Sequence, residues 1–501
     1  MKRITLVTIA LAVCMAMPGW AAGSNVAKVP SDELVPPPPA LTADLPQPPR
    51  PPGLPVPQLA PAKAMVPVLT VDLTKPLTVE QALCVAFERN PDLRIAVDIA
   101  RRSVGVVEEA KANFNPKFNG TITSIRQPST SATFPGASGK PDQSIVIQSA
   151  QSTTAAVVAT LPLDISHRLA YTTDVARYQF DIQYLSLVAA SERVIQNVKA
   201  TYYEVLRTYG QQGVAQAAVD VAKAQLDNTK ARFEAGAAPK FDVTTAEVNL
   251  ANLNQQLIQA QTRTENARSL FNRVLGIGID TPTQVINVTP TIDVKTVDIS
   301  ANIATAEARR PEVRAGRSAI ALNQRNVKLQ QTGLKPSLSW NVNMGFNANA
   351  TTFANQNVNW QTSLVVSAPI WDGGITKARV AQARADVANA ADTLDLTKLQ
   401  VGLDVRTAAL NVEEAAKRSE STTEAVALAE EALRLANVRY EAGIAVLVEV
   451  TNAESQLTQA QFNLVNAQYD YAIALAALQR ATSTQPELNQ VQLLEIERMH
   501  S

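Results

Sequence analysis

The chain has 501 residues, with 45 basic and 45 acidic side chains and a formal net charge of zero. That balance argues against a nucleic-acid binder, which carries a basic excess. Apolar residues make up 46% and charged residues 18%, which excludes global disorder, and the low aromatic share of 5% beside abundant alanine suits slim, closely packed helices. The two histidines, His167 and His500, argue against a histidine-rich metal site.

Residues 1–22 read as an export signal. Lys2 and Arg3 precede an apolar stretch from Ile4 to Met17, and the small residues Gly19, Ala21 and Ala22 follow. Cleavage is expected near Ala21 or Ala22. Leu11-Ala12-Val13-Cys14 is a weak match to a lipoprotein box, and Val13 with the short apolar run behind it argues against lipidation. Removal of Cys14 with the signal would leave Cys84 as a single thiol, without an intrachain disulfide. No 18-residue apolar run occurs beyond residue 22, so a membrane-spanning helix is not expected and any insertion must use strands. Residues 23–76 form a Pro-rich segment: 14 of the 29 prolines fall in 30–67. Fixed φ and missing donors favour an extended tether there, with a polyproline docking segment as the alternative.

The remainder is an internal duplication, 77–290 and 291–485, followed by a tail over 486–501. Asn90-Pro91-Asp92-Leu93-Arg94 matches Arg310-Pro311-Glu312-Val313-Arg314 at an offset of 220, as Pro116 matches Pro336. Pro162 matches Pro369 at an offset of 207, as Arg232-Phe233-Glu234-Ala235-Gly236 matches Arg439-Tyr440-Glu441-Ala442-Gly443. The 13-residue difference places an indel in an exposed loop, 128–150 of the first copy and 348–359 of the second.

Each copy reads as helix, strand, loop, strand, long helix, sharp turn, long helix. The first helix opens near Thr78, with Gln81 completing a capping box, and is expected to run to just before Pro116. Strands are expected at 117–127 and 151–163, then a helical hairpin over 164–275. The second copy should have strands at 337–347 and 360–370, and a hairpin over 371–482. Leu338, Trp340, Val342, Met344 and Phe346 alternate with Ser339, Asn341, Asn343 and Asn347. Trp360, Thr362, Leu364, Val366, Ala368 and Ile370 continue the pattern, which Phe118, Ile122, Ala155, Val157, Ala159, Leu161 and Leu163 repeat more weakly. Alternation of this kind suits a half-buried soluble sheet or a barrel wall between lipid and water; strands of about 11 residues and Asn/Thr-rich loops favour the wall.

No proline interrupts the stretches between Leu163 and Ala238 or between Ile370 and Gln485, room for helices of about 65 residues, roughly 100 Å long. Leu457, Ala460, Leu464, Ala467, Tyr471, Ala474 and Leu478 step by three and four, and Leu250, Leu253, Leu257, Ala260, Thr264, Ala267 and Phe271 give the same stripe 207 residues earlier. A coiled-coil seam and a plain bundle core explain it equally well. Four strands cannot close a barrel, and two unpaired edges in lipid would leave backbone groups without partners, so a membrane wall must be completed by other copies. Two copies would give a filled eight-stranded barrel and three a twelve-stranded one with a lumen.

This arrangement resembles the TolC family of outer-membrane efflux proteins over about 77–485. Its motifs here are Leu77-Thr78-Val79-Glu80-Gln81-Ala82-Leu83, Pro369-Ile370-Trp371-Asp372-Gly373-Gly374 and the turns beginning Arg232-Phe233 and Arg439-Tyr440. The resemblance implies a mixed α and β membrane protein: a homotrimer with a twelve-stranded β-barrel in outer-membrane lipid. A coiled-coil helical tunnel would continue into the periplasm, docking on a periplasmic adaptor (membrane fusion) protein and an inner-membrane pump. The family further implies that the tip turns, with Phe233, Gly236, Pro239 and Gly443, meet the adaptor. A closed entrance would be held by Tyr440 and Asp242; the arginine of that latch is replaced by Ala445. Of two carboxylate rings one matches Glu449, while the other position is Asn452.

Asp372, Gly373 and Gly374 should form the turn from strand to long helix, where glycine tolerates unusual φ; the first copy has Leu163-Asp164-Ile165-Ser166 instead. No phosphate loop, nucleophile elbow or His-Glu-x-x-His occurs, so neither an enzyme nor a cofactor is expected. The leading expectation is a passive exit duct, with an exported coiled-coil fibre or adhesin stalk as the alternative. Cargo is not legible.

Overall fold

The computed structural model describes residue 73, residues 75–136, 139, 143–148, 151–288, 290–292, 298–349 and 357–487. The expected export signal, nearly all of the Pro-rich segment, the tip of the second loop and most of the tail lie outside the described residues.

The first copy opens with α1 (Val79–Arg89) and α2 (Pro91–Ala112). The capping box at Thr78 is formed: Gln81 N–H donates to Thr78 Oγ1 at 3.2 Å, and Thr78 N–H donates to Gln81 Oε1 at 3.0 Å. The single helix expected from Thr78 to Pro116 is two helices. Pro91 brings no N–H and biases Asn90 to extended backbone, and Asn90 (φ −61°, ψ 123°) ends α1 and caps α2, accepting from Leu93 N–H at 3.0 Å. Asn90 Nδ2 also donates to the Val274 carbonyl at 2.7 Å. Beside it Gly276 has φ 75°, and a Cβ there would lie 2.3 Å from the Arg89 carbonyl oxygen, so both conformation and space demand glycine.

Four strands follow: β1 (Lys117–Arg126), β2 (Thr130–Phe134), β3 (Gln143–Gln148) and β4 (Gln151–Leu163). The region expected as a loop over 128–150 thus contains the β2–β3 hairpin, in which Thr130, Thr133, Ile145, Val146 and Ile147 have strand propensity. Then come the hairpin helices α3 (Arg168–Glu234) and α4 (Lys240–Leu275). The second copy has α5 (Ile299–Arg309), α6 (Pro311–Gln331), β5 (Ser337–Asn349), β6 (Asn357–Ser367), α7 (Ile375–Glu441) and α8 (Leu447–Ala481). The last strand starts and stops three residues earlier than the expected 360–370, since Pro369 supplies no ladder donor. Both α3 and α7 contain 67 residues, about 100 Å at 1.5 Å per residue.

β1, β4, β5 and β6 form one antiparallel sheet in that order, so β1 and β6 are its edges. Lengthwise, α3 packs on α4 and α7 on α8; α3 and α8 join the copies. Cores occur where short helices lean on the long ones. In the first copy Tyr202 is fully buried, meets Phe271 edge-on at 6.0 Å, and its hydroxyl donates to the Ile286 carbonyl at 2.9 Å, with the Leu77 carbonyl 3.1 Å away as the alternative acceptor. In the second copy Val313, Val401, Val405 and Ala409 form the corresponding cluster. The stripe read from sequence is buried at Ala260, Thr264, Ala267 and Phe271, and at Ala467, Tyr471 and Leu478.

Candidate channel wall and entrance

Register sorts the sheet into two faces. Phe118 lies opposite Ala159, which lies opposite Val342; Ile122, Ala155 and Phe346 share the next layers, and Leu161, Trp340 and Leu364 a third row. The other face places Thr121, Ala156 and Gly345 in one row, and Thr160, Asn341 and Ser363 in another. A period of two makes this segregation automatic once the sequence alternates. The apolar face is uncovered in the subunit: Ile122 is 81% and Trp360 72% exposed, and Met344, Leu364 and Val366 are exposed too. Trp340 Nε1 donates to Thr362 Oγ1 at 2.8 Å, so its polar handle is satisfied within the sheet. Contiguous apolar surface of this kind marks contact with lipid or another chain. Ile370 and Trp371 continue it past β6.

Both strand-to-helix corners use an aspartate to cap. Asp164 accepts from the N–H groups of Leu169 (3.1 Å) and Ala170 (2.9 Å). Asp372 accepts from those of Gly374 (3.0 Å) and Thr376 (2.8 Å), and hydrogen bonding centred on Thr376 lowers its carboxyl below the usual range. Gly373 and Gly374 have φ of 66° and 88°. The first copy keeps a left-handed residue without glycine: His167, 207 positions before Gly374, has φ 61°.

The tips close by one hydrogen-bond pattern. Gly236 (φ 72°) donates to the Phe233 carbonyl at 2.9 Å and Ala237 to that of Arg232 at 2.7 Å. Gly443 (φ 73°) donates to the Tyr440 carbonyl and Ile444 to that of Arg439, both at 3.0 Å. These are Schellman motifs, in which a left-handed residue lets the chain turn back and satisfy the last carbonyls. Pro239 then stands immediately before α4, and Val446 before α8.

Side chains at the tips are not equivalent. Tyr440 is 7% exposed and packs with Leu226, Val243, Ala246, Leu447 and Val450, with Ala445 at the edge of the cluster; Phe233 is 41% exposed. The Arg232 guanidinium lies 4.7 Å from the centroid of the Tyr440 ring, a cation–π contact across the copies. Lys240 Nζ lies 5.8 Å from the Phe233 ring. Among the described residues Tyr440 Oη has no hydrogen-bond partner, so within one subunit it is not bonded to Asp242. Asp242 and Glu449 occupy matching positions, 207 apart. Glu449 is paired with Arg439 at 3.5 Å, both half-exposed, so its charge is partly balanced at its own tip. Asn452 is exposed one turn further along. Arg232 and Arg439, which open the repeated motif, make these tip contacts, and the sequence pattern does not single them out.

Among the described residues no His/Cys/Asp/Glu group could hold a metal ion, and no helix is long and apolar enough to cross a membrane. A wall apolar on one face and polar on the other, standing on helices of about 100 Å, defines a β-barrel channel subunit with a helical extension. The model of the family described as outer membrane efflux protein matches residues 83–276 and 302–484, and the chain belongs to that family.

The chain is 26% identical over 321 residues to outer membrane protein TolC of Vibrio cholerae serotype O1, covering 62% of this chain and 71% of that protein. It is 24% identical over 327 residues to outer membrane protein TolC of Escherichia coli strain K12, covering 63% and 66%. The match thus spans about two thirds of the length of these relatives. In fold it is similar to the outer membrane protein VceC from Vibrio cholerae (TM-score 0.69, 19% identity, covering 81% of this chain and 95% of that one). It is similar also to the Campylobacter jejuni CmeC outer membrane channel (TM-score 0.69, 17% identity, covering 83% and 89%).

Proposed function

We propose that this outer-membrane efflux protein is a passive exit duct: three subunits complete a twelve-stranded barrel in the outer membrane, and their helices form a tunnel into the periplasm. The observation that carries this reading is the four-stranded sheet with one uncovered apolar face, one polar face and two edges, β1 and β6. In hydrocarbon each unpaired edge group costs several kcal/mol, so joining β6 of one subunit to β1 of the next is the stable arrangement. No bond of the cargo is changed. An adaptor and an inner-membrane pump would supply the work of opening and export, with the turns around Phe233, Gly236, Pro239 and Gly443 as the surface they engage. Asp372, Gly373 and Gly374 would hold the corner between wall and tunnel.

At the entrance, Tyr440 and Asp242 are the proposed latch, acting between subunits, since Tyr440 Oη has no partner among the described residues of its own. Three Glu449 side chains would give an acidic ring attenuated by Arg439. The test is conductance of the purified, detergent-extracted oligomer in a planar bilayer, with its mass measured alongside. A trimer passing ions is expected; a monomer soluble without detergent, or an oligomer passing no current, would overturn the reading.

A further inference from the structure

The chain does not leave the rod where α8 stops. Ser483 takes φ 53°, its N–H donates to the Arg480 carbonyl at 3.0 Å, and the N–H of Thr484 donates to that of Gln479 at 2.9 Å. This turn lays Ser483–Glu487 along α3. There Glu192, Gln196 and Lys199 follow one another at spacings of four and three, which puts them on one helix face. Glu192 accepts from Ser483 Oγ, and its main-chain carbonyl accepts from Gln485 Nε2 at 3.2 Å. Gln196 Oε1 accepts from Arg480 Nη1 at 3.1 Å. Lys199 Nζ reaches Glu487 at 2.9 Å and Gln479 at 3.0 Å.

Glu192 is 1% exposed. The charged groups around it come from the helices packed there: Arg310 and Glu312 at the start of α6 and Arg480 on α8, with Arg193 of α3 acting on Arg480. Arg310 is itself tied to Asp404 of α7 at 2.8 Å and to Glu312 at 3.2 Å. Of the charges that act on Glu192, Arg310 and Arg480 favour the ionised carboxylate and Glu312 opposes it.

We propose that Ser483–Glu487 is a strap clasping the end of the second copy to α3 of the first, and that Glu192 is its protonation-dependent anchor, holding tighter in acid. Burial pushes the Glu192 carboxyl up to about 7, with the Ser483 hydrogen bond pulling the other way. Undocking the strap removes the part of the cover that Ser483–Glu487 supply over this carboxyl and lets it fall back toward the ordinary range. A group raised in the docked state contributes fully below its undocked value and loses that contribution as pH rises through its docked value. Docking therefore weakens as pH rises through about 7 and levels off above. The strap links the two hairpins, so its release eases their relative movement; that consequence rests on the duct reading, whereas docking does not.

The experiment is hydrogen exchange on the purified full-length oligomer in detergent at pH 5.5 and 8, corrected for intrinsic exchange and followed over residues 480–487 with the tips as reference. From the linkage relation, protection of the strap should be greater at pH 5.5 by severalfold, with about thirtyfold as the ceiling for complete exposure of the carboxyl. Glu192→Gln should remove this step and stay protected at both values. Ser483→Ala should lose more protection at pH 8, where the ionised carboxylate needs its donor. Equal protection of the wild-type strap at both pH values, an unchanged step in Glu192→Gln, or an unaltered profile in Ser483→Ala would each overturn the proposal. Failure of conductance alone would count against the duct and leave the strap standing.

Discussion

The two copies place different chemistry at matching positions, and the substitutions track what each copy touches. Asn90, between α1 and α2, caps one helix and reaches the end of α4. Arg310, between α5 and α6, caps nothing with its side chain and instead bridges Glu312 and Asp404. At the tips Tyr440 is buried under Arg232, while Phe233 projects outward beside Lys240. One backbone plan therefore serves two environments: the turns are conserved in geometry, and the side chains specialise. Duplication supplied the scaffold, and at the tips asymmetry supplies a contact between the copies, Arg232 on the Tyr440 ring.

The sharpest way to break this comparison is at the junctions. Burial disfavours the Arg310 charge, and the Glu312 and Asp404 carboxylates more than offset it. Arg310→Ala leaves Glu312 and Asp404, each about one-third exposed, without their shared cation and should cost about 2–3 kcal/mol, against about 1–2 kcal/mol for Asn90→Ala, the scale of a lost cap. Thermal denaturation of the detergent-solubilised oligomer measures both, and equal losses would remove the distinction. At the corners, Gly374→Ala forces a Cβ into left-handed backbone and should cost about 1–2 kcal/mol. His167→Gly relieves similar strain but loosens the unfolded chain, so its melting point should move little.

A smaller effect is expected at the entrance. Tyr440→Phe keeps the buried ring and the Arg232 contact and removes only the hydroxyl. A bond of about 1 kcal/mol made by that hydroxyl to a neighbouring subunit corresponds to about a fivefold rise in open probability once it is lost. Bilayer recordings of Tyr440→Phe and Asp242→Ala test it, and unchanged conductance in both rejects the latch. The smallest effect concerns Asp372. Its carboxyl is lowered by its capping bonds, so its contribution is present above the ordinary carboxylate value and lost as pH falls through the lowered one. Asp372→Asn should melt below the wild type at pH 7 and together with it near pH 2.

The architecture was legible because it repeats. Alternation, the seven-residue stripe and the matched Arg-aromatic-Glu-Ala-Gly turns are all short-range signals, and two copies of each made them readable. The break at Asn90–Pro91 was hidden because proline at the first position of a helix is compatible with helix, and apolar periodicity continues on both sides of it. Strand ends were blurred because Ala368 and Ile370 keep the alternation after the ladder has stopped at Ser367. The Glu192 cluster left no local trace, since its partners come from residues 310, 480 and 483, brought together only by α3, α6 and α8 packing. Pairing of Glu449 with Arg439 likewise depends on how α7 and α8 face each other across the turn.

The face-sorted register of the sheet bears on assembly as well as on insertion. When β6 of one subunit meets β1 of the next, a slip by a single residue would turn every side chain of the incoming strand over, thrusting Asn359 and Gln361 toward acyl chains. Only even displacements, in steps of about 7 Å, keep oil-facing and water-facing rows aligned. In the proposed ring, solvent preference therefore selects against odd registers at every seam, and the bilayer itself disfavours a mismatched closure.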